Sequence, residues 1–76
     1  EAHVCVFQTA LDLLMAGYRV AAVSDAVCSR RASDRLDALR EIGRAGALVS
    51  STEMIVFMLL ERAGTTQFRK LAPFFK

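Results

Sequence analysis

The sequence predicts an α/β fold in which parallel strands alternate with helices. Two short apolar segments with β-branched residues, at residues 19–24 and 47–50, separate three longer segments of helical composition. A glycine follows each of those helical segments, as is common at helix ends. The order helix, strand, helix, strand, helix is typical of strands that pair in parallel through right-handed crossovers.

The first predicted helix covers residues 4–16 and ends before Gly17. Leu, Met, Ala and Gln in this segment all favour helix formation. Its polar residues are few, namely Gln8, Thr9 and Asp12, and apolar side chains cover most of the remaining circumference. A helix that is apolar on nearly every side is expected to be buried against more than one neighbour.

Both predicted strands are short and continuously apolar. Residues 19–24 and 47–50 lack the alternation of a half-exposed strand, which fits a parallel sheet covered on both faces. Residues 25–32 form a polar connection between the first strand and the next helix.

The second predicted helix is amphipathic and begins after Ser33, a candidate N-cap. Leu36, Leu39 and Ile42 fall on one side of it. Acidic residues lie early and basic residues late, as the helix dipole favours, and Gly46 follows the last turn.

The third predicted helix contains the apolar residues 54–60. Ser50 and Glu53 precede this run with the spacing of a capping box, which favours helix over strand, and Gly64 is its predicted end. Beyond it, apolar residues recur at helical spacing, so the tail is predicted to form one or two docked helical turns interrupted at Pro73.

Two strands are too few for a stable parallel sheet, and a domain near this length buries only ~60% of its extended-chain surface. We therefore expect residues 1–76 to be the C-terminal portion of a single larger domain, whose other strands and helices precede it. The start at Glu1, without an initiator Met, is interpreted as a cut.

Charge and cysteine content restrict the classes of partner. Ten Lys and Arg against eight Asp and Glu leave a net charge of +2 in mixed sign. This pattern predicts neither a nucleic-acid nor a membrane partner. The two cysteines, Cys5 and Cys28, are too few for a disulfide framework, which favours a reducing, cytoplasmic location.

Cys5 is the candidate nucleophile. Its predicted place is the first turn of the first helix, where unpaired backbone N–H groups and the helix dipole favour a thiolate. The same amides could hold the oxyanion that forms when a thiolate adds to a carbonyl. The alternative is simple packing, since a free cysteine is among the most commonly buried residue types.

Four further features have less reactive interpretations. His3 lies two positions from Cys5 and therefore on another side of the helix start, so we expect it at a pocket rim or surface. No second His accompanies it, so no metal site is predicted. Cys28 is interpreted as a tolerated loop residue, with a redox partner for Cys5 as the alternative. Asp25 is expected to cap, and residues 29–31 to be solvated or salt-bridged.

Several blocks of the sequence carry a resemblance to a known family. They are EAHVCVFQTALDLL at residues 1–14, SDAVCSR at 24–30, DR at 34–35, AL at 38–39, GA at 46–47, STE at 51–53 and QFRK at 67–70. This ordered series closely resembles the isochorismatase-like cysteine hydrolases, in their isochorismatase-domain-containing branch. It covers essentially the whole chain, although no single block is decisive.

The resemblance implies the C-terminal part of a three-layer α/β/α sandwich with a mostly parallel sheet. It also implies a site built from an Asp, a Lys and a Cys, of which only the Cys position is present here, as Cys5. The Asp and Lys come from preceding segments, so the segment alone is predicted to be inactive. The backbone amides that match the family's oxyanion donors are those of Glu1 and Cys5, and no cofactor or metal is implied.

The implied activity is attack of the Cys5 thiolate on a small amide or related C–N substrate, through a thioester. The alternative is a non-catalytic pseudoenzyme or oligomerisation module in which Cys5 is buried. The apolar residues 54–60 fit burial in the domain or a subunit interface. Because hydrolases of this resemblance commonly assemble, a homo-oligomer is expected.

Overall fold

The computed structural model describes residues 1–75 of the chain, which contain two parallel strands, four α-helices and two shorter helical turns. The elements in chain order are a π-helical turn Ala2–Val6, α1 Phe7–Met15, β1 Ala21–Val23, α2 Ala32–Arg44, β2 Leu48–Ser50, α3 Thr52–Leu60, α4 Thr66–Leu71 and a 3-10 turn Ala72–Phe75. The predicted α/β class and the order of the elements are confirmed.

The two strands pair in parallel, with Ala22 of β1 opposite Val49 of β2. Each strand has three residues and is therefore shorter than predicted, because the chain turns as soon as β1 ends. The turn is closed by the N–H of Ala26, which donates to the carbonyl of Val23 at 3.0 Å. Within residues 1–75 β1 pairs with β2 alone, so its other edge carries backbone groups without a strand partner there.

The buried core is built mainly from small side chains. Its members are Ala10 of α1, Ala22 of β1, Leu39 and Ile42 of α2, and Ala47. Ile42 is the largest fully buried side chain among the described residues. The helix α2 therefore packs closely against both α1 and β2, and its Ile42 lies in that packed core.

The buried side of α2 differs in part from the prediction. Leu39 and Ile42 are buried as expected, but Leu36 is 59% exposed. At about 100° per residue, Leu36 lies roughly 120° around the helix from Ile42, which places it at the edge of the buried stripe. The predicted N-cap is wrong as well, because the extended residue before α2 is Arg31 and Ser33 lies inside the first turn.

The start of α3 lies one residue later than the capping box predicted. Ser51 is the N-cap, and its Oγ accepts a hydrogen bond from the N–H of Met54 at 3.2 Å. Ser50 is the last residue of β2 and only 2% exposed, so it does not cap the helix. With Ser51 as the N-cap, Glu53 is the second residue of the helix rather than the third that a capping box requires. The helical interpretation of residues 54–60 is nevertheless confirmed.

The tail docks on α3, as predicted. The ring of Phe57 lies 5.6 Å, between centroids, from each of the rings of Phe68 and Phe75. The helix α3 ends earlier than predicted. Its last residue is Leu60, and Glu61 adopts a positive φ of 64°, whereas the predicted end, Gly64, lies three residues further on. The chain reverses there so that the aromatic side chains of the tail can reach Phe57.

Large apolar side chains remain exposed on several elements of the described chain. They are most exposed at Met15, Tyr18, Leu36, Leu59 and Phe74. An apolar surface of this kind marks a region that other protein commonly covers. The homo-oligomer stays a prediction. Among residues 1–75, none of the helices has the length and apolar character required to span a bilayer.

Candidate active site around Cys5

Cys5 lies in the π-helical turn that leads into α1, and its side chain is exposed within the described chain. The wider winding is visible in the N–H of Val6, which donates to the carbonyl of Glu1, five residues earlier, at 3.3 Å. Such π-helical turns are rare and frequently occur at functional sites. The sequence predicted a helix here but carried no signal for the wider turn.

The carboxylate of Glu1 binds the loop between β1 and α2, residues 24–31, which we call the β1–α2 loop. Its Oε1 accepts hydrogen bonds from the backbone N–H of Arg30 at 2.8 Å and from Arg30 Nε at 3.2 Å. These two interactions, the backbone hydrogen bond first, hold the pKa of Glu1 below its ordinary value. The predicted salt bridge of residues 29–31 is therefore present at Arg30.

The imidazole of His3 binds the same loop. Its Nδ1 lies 2.8 Å from Oγ of Ser29, and its Nε2 lies 3.6 Å from the Glu1 carboxylate and 3.8 Å from that of Asp34. Both ring nitrogens therefore face groups other than the Cys5 thiol. This arrangement agrees with the prediction of a rim histidine rather than a Cys–His dyad.

Cys28 contributes its backbone to the same junction. Its carbonyl accepts a hydrogen bond from the N–H of Ala2 at 2.7 Å, which joins the β1–α2 loop to the start of the π-helical turn. The thiols of Cys28 and Cys5 are both free and exposed. The role of Cys28 as a tolerated loop residue stays a prediction.

Arg35 is a structural residue of this region that the sequence analysis missed. Its Nε donates to the carbonyl of Val27 at 3.2 Å, and a second guanidinium nitrogen donates to the carbonyl of Ser24. Both acceptors belong to the β1–α2 loop, so Arg35 fastens that loop to α2. No sequence pattern distinguishes an arginine that binds loop carbonyls from one that is solvated.

Asp25 has the capping role that the sequence predicted, although what it caps is the start of α3 rather than its own loop. Its Oδ1 accepts hydrogen bonds from Thr52 Oγ1 at 2.7 Å and from the Thr52 N–H at 2.8 Å. The hydroxyl first and the amide second lower the pKa of Asp25 from its ordinary value of 3.8. Asp25 is thus engaged away from the Cys5 turn.

We expect Asp25→Ala to lower the melting temperature at pH 7, with a deficit that shrinks in acid. The lowered pKa in the folded state means that this carboxylate stabilises the fold above its unfolded pKa, and that the contribution is lost as pH falls through the folded value. Thermal melts at pH 7 and near pH 3 in the full-length protein measure both effects. Asp37→Ala is the control, because Asp37 pairs with Arg40 on the exposed surface of α2. An equal deficit of Asp25→Ala at both pH values would contradict the role of the ionised carboxylate.

A cavity of about 310 Å³ lies beside Cys5, between α1 and the segment that contains β1. Its walls are Cys5, Val6, Thr9, Ala10, Leu13, Val20, Ala21 and Ala22. The only side-chain heteroatoms among these belong to Cys5 and Thr9, so the cavity offers few groups to orient a polar substrate. Within residues 1–75, no three His, Cys, Asp or Glu side chains are arranged to hold a metal ion.

Comparison with known proteins shows extensive similarity to one family. The isochorismatase domain model matches residues 1–54. The chain is 45% identical over 76 residues to a secreted isochorismatase effector of Phytophthora sojae, and 43% identical over 76 residues to isochorismatase family protein 1B of Dictyostelium discoideum. All of this chain is covered in both cases, against 36% and 37% of the relatives, so the chain spans about a third of their length.

The same similarity appears among solved structures. The fold matches the structure of the MAR1 ribonuclease from Caenorhabditis elegans with a TM-score of 0.89 and 38% sequence identity. The match covers 96% of this chain and 38% of that one. The α/β arrangement described above therefore corresponds to a part of that larger fold.

Proposed function

The chain belongs to the isochorismatase family, and from this premise we propose that it supplies the nucleophile of a cysteine hydrolase that acts on a small amide or related C–N substrate. The nucleophile is Cys5. The observation that carries the proposal is the exposed thiol of Cys5 on a π-helical turn at the start of α1. A thiol in that position is reachable by a substrate.

The proposed reaction has two stages. The Cys5 thiolate attacks the carbonyl carbon, and the oxyanion accepts hydrogen bonds from the backbone N–H groups of Glu1 and Cys5. The C–N bond then breaks, the amine leaves with a proton, and a thioester remains. Water hydrolyses that thioester to a carboxylic acid and restores the thiol. The Asp and Lys that move protons and steady the thiolate in such enzymes come from segments that precede Cys5 in the family.

The second candidate function is a non-catalytic assembly module. The exposed apolar side chains of α3, above all Leu59 at 79%, favour it, because such a surface suits a subunit contact. That alternative places Cys5 in a packed interior, however, and within residues 1–75 the Cys5 side chain is exposed. The exposed thiol favours the hydrolase over the module.

The Caenorhabditis elegans relative is named a ribonuclease, which raises RNA as a further substrate class. An RNA-binding face requires clustered positive charge, and this chain carries a net charge of +2 with both signs interspersed. We therefore keep the small amide as the proposed substrate and treat RNA cleavage as an outcome of the tests.

The experiment that tests the nucleophile is the pH dependence of alkylation by iodoacetamide in the full-length protein, read at each cysteine by peptide mass spectrometry. We expect Cys5 to be alkylated faster than Cys28 near neutral pH, as befits a nucleophile that its site activates. Cys28 is the matched control, since its side chain is also exposed and free. Identical pH profiles for the two cysteines, or no labelling of Cys5 before unfolding, would replace the hydrolase with the assembly module.

A further inference from the structure

The turn that carries Cys5 is fastened to the β1–α2 loop by three separate contacts. They join Glu1 Oε1 to the N–H of Arg30 at 2.8 Å, the N–H of Ala2 to the carbonyl of Cys28 at 2.7 Å, and His3 Nδ1 to Ser29 Oγ at 2.8 Å. Two of these contacts use a backbone group of the loop, and the third joins two side chains. Arg30 Nε also donates to Glu1 Oε1 at 3.2 Å, but the backbone N–H of Arg30 keeps that junction when the side chain is replaced. The His3–Ser29 contact is therefore the one of the three that a side-chain substitution within the loop removes completely.

The His3–Ser29 contact lies nearest to Cys5 along the chain, two residues from it. The contact therefore joins the loop directly to the π-helical turn, a kind of turn that is rare and frequently occurs at functional sites. We propose that Ser29, acting through His3, is a positioning residue that fixes the Cys5 turn in the geometry needed for acyl transfer. This inference rests on the proposed function.

The chemistry of the pair suits a positioning role. A serine hydroxyl both donates and accepts, so it bonds Nδ1 whether that nitrogen is protonated or not. On its other side, His3 Nε2 faces the carboxylates of Glu1 at 3.6 Å and Asp34 at 3.8 Å, which hold the ring from the opposite direction. The two carboxylates pair with the ring only when it is protonated, so the Ser29 hydroxyl is the partner that the ring keeps in either charge state. A displacement of a nucleophile by about 1 Å can cost on the order of 100-fold in rate.

Two reactions of the Cys5 thiol distinguish a loss of its positioning from a general loosening of the turn that carries it. Acylation by p-nitrophenyl acetate requires the thiol and the oxyanion donors in register, whereas alkylation by iodoacetamide requires only an accessible thiolate. In the full-length protein, we expect Ser29→Ala to slow acylation about tenfold and to change alkylation of Cys5 less than about twofold. Ser29→Thr retains the hydroxyl and should restore acylation to within about threefold of wild type.

Three outcomes would overturn the positioning role. They are an unchanged acylation rate in Ser29→Ala, a parallel change of both rates, and a loss that Ser29→Thr does not restore. Cys5→Ser separates this test from that of the proposed function. If Cys5→Ser keeps the wild-type acylation rate, the proposed nucleophile is wrong; if it removes acylation while Ser29→Ala leaves it intact, only the positioning role is wrong.

Discussion

Replacing Cys5 with serine is expected to lower the hydrolytic rate of the full-length protein by at least about 1,000-fold, into the range that loss of a nucleophile produces in other hydrolases. The reason lies in the ionisation of the two side chains. A thiol is a stronger acid and a stronger nucleophile than an alcohol, whereas a serine hydroxyl stays protonated unless a base is matched to it. The measurement is steady-state release of p-nitrophenol from p-nitrophenyl acetate, followed by ammonia release from a panel of small primary amides.

Cys28→Ser is the matched control for this loss. Both thiols are free and exposed, and Cys28 contacts the start of the turn through its carbonyl, which serine retains. We expect its activity to stay within about twofold of wild type, as for a surface substitution. Circular dichroism of both variants shows whether the fold is intact. Full hydrolysis by a folded Cys5→Ser protein would exclude the nucleophile, and RNA cleavage that survives Cys5→Ser would favour a different chemistry at another site.

The class of fold was predictable because it depends on local signals that recur in order. The glycines after α1 and α2 adopt positive φ, 92° at Gly17 and 114° at Gly46, as helix ends require. Apolar runs too short to form a helix predicted strands at the positions that β1 and β2 occupy. The ends of the elements were less predictable, because Ser50 and Ser51 are chemically identical and only the pairing of β2 decides which of them is buried.

The place of Cys5 at a helix start was predictable, and its surroundings were not. Cys5 was identified by its place in a helix start and by a resemblance of the residues around it. The contacts that hold its turn join residues far apart in sequence: His3 and Ser29 are separated by 26 positions, and Glu1 and Arg30 by 29. Periodicity and capping signals reach only a few residues along the chain, so pairs like these appear only when the fold brings α1 and the β1–α2 loop together.

The contacts of Asp25 show the same limit. Its carboxylate was expected to cap, because an aspartate after a strand commonly binds nearby backbone. The structure instead gives it Thr52, 27 positions away, at the start of α3. The chemistry of the side chain was therefore predictable from its type, while the identity of its partner depended on the parallel pairing that places the ends of β1 and β2 side by side.

The largest expected effect on stability comes from Ile42, a fully buried residue of α2. We expect Ile42→Ala to lower the free energy of unfolding by about 2–5 kcal/mol, and the upper half of that range applies here. The cost of a cavity depends on how far its walls can collapse. Three of the four other buried members of this core, Ala10, Ala22 and Ala47, are alanines without a free side-chain torsion, so the space can be filled only by the larger, partly buried side chains that border the core.

Urea denaturation of the full-length protein measures this loss, with two graded controls. Ile42→Val removes one methyl group and should cost about 0.5–1.5 kcal/mol. Leu36→Ala lies on the same helix, but because Leu36 is 59% exposed it should change the free energy of unfolding by less than about 0.5 kcal/mol. Equal losses for Leu36→Ala and Ile42→Ala would mean that Leu36 is as deeply buried in the full-length protein as Ile42. The core described here would then be only one side of a thicker layer that continues across the exposed face of α2.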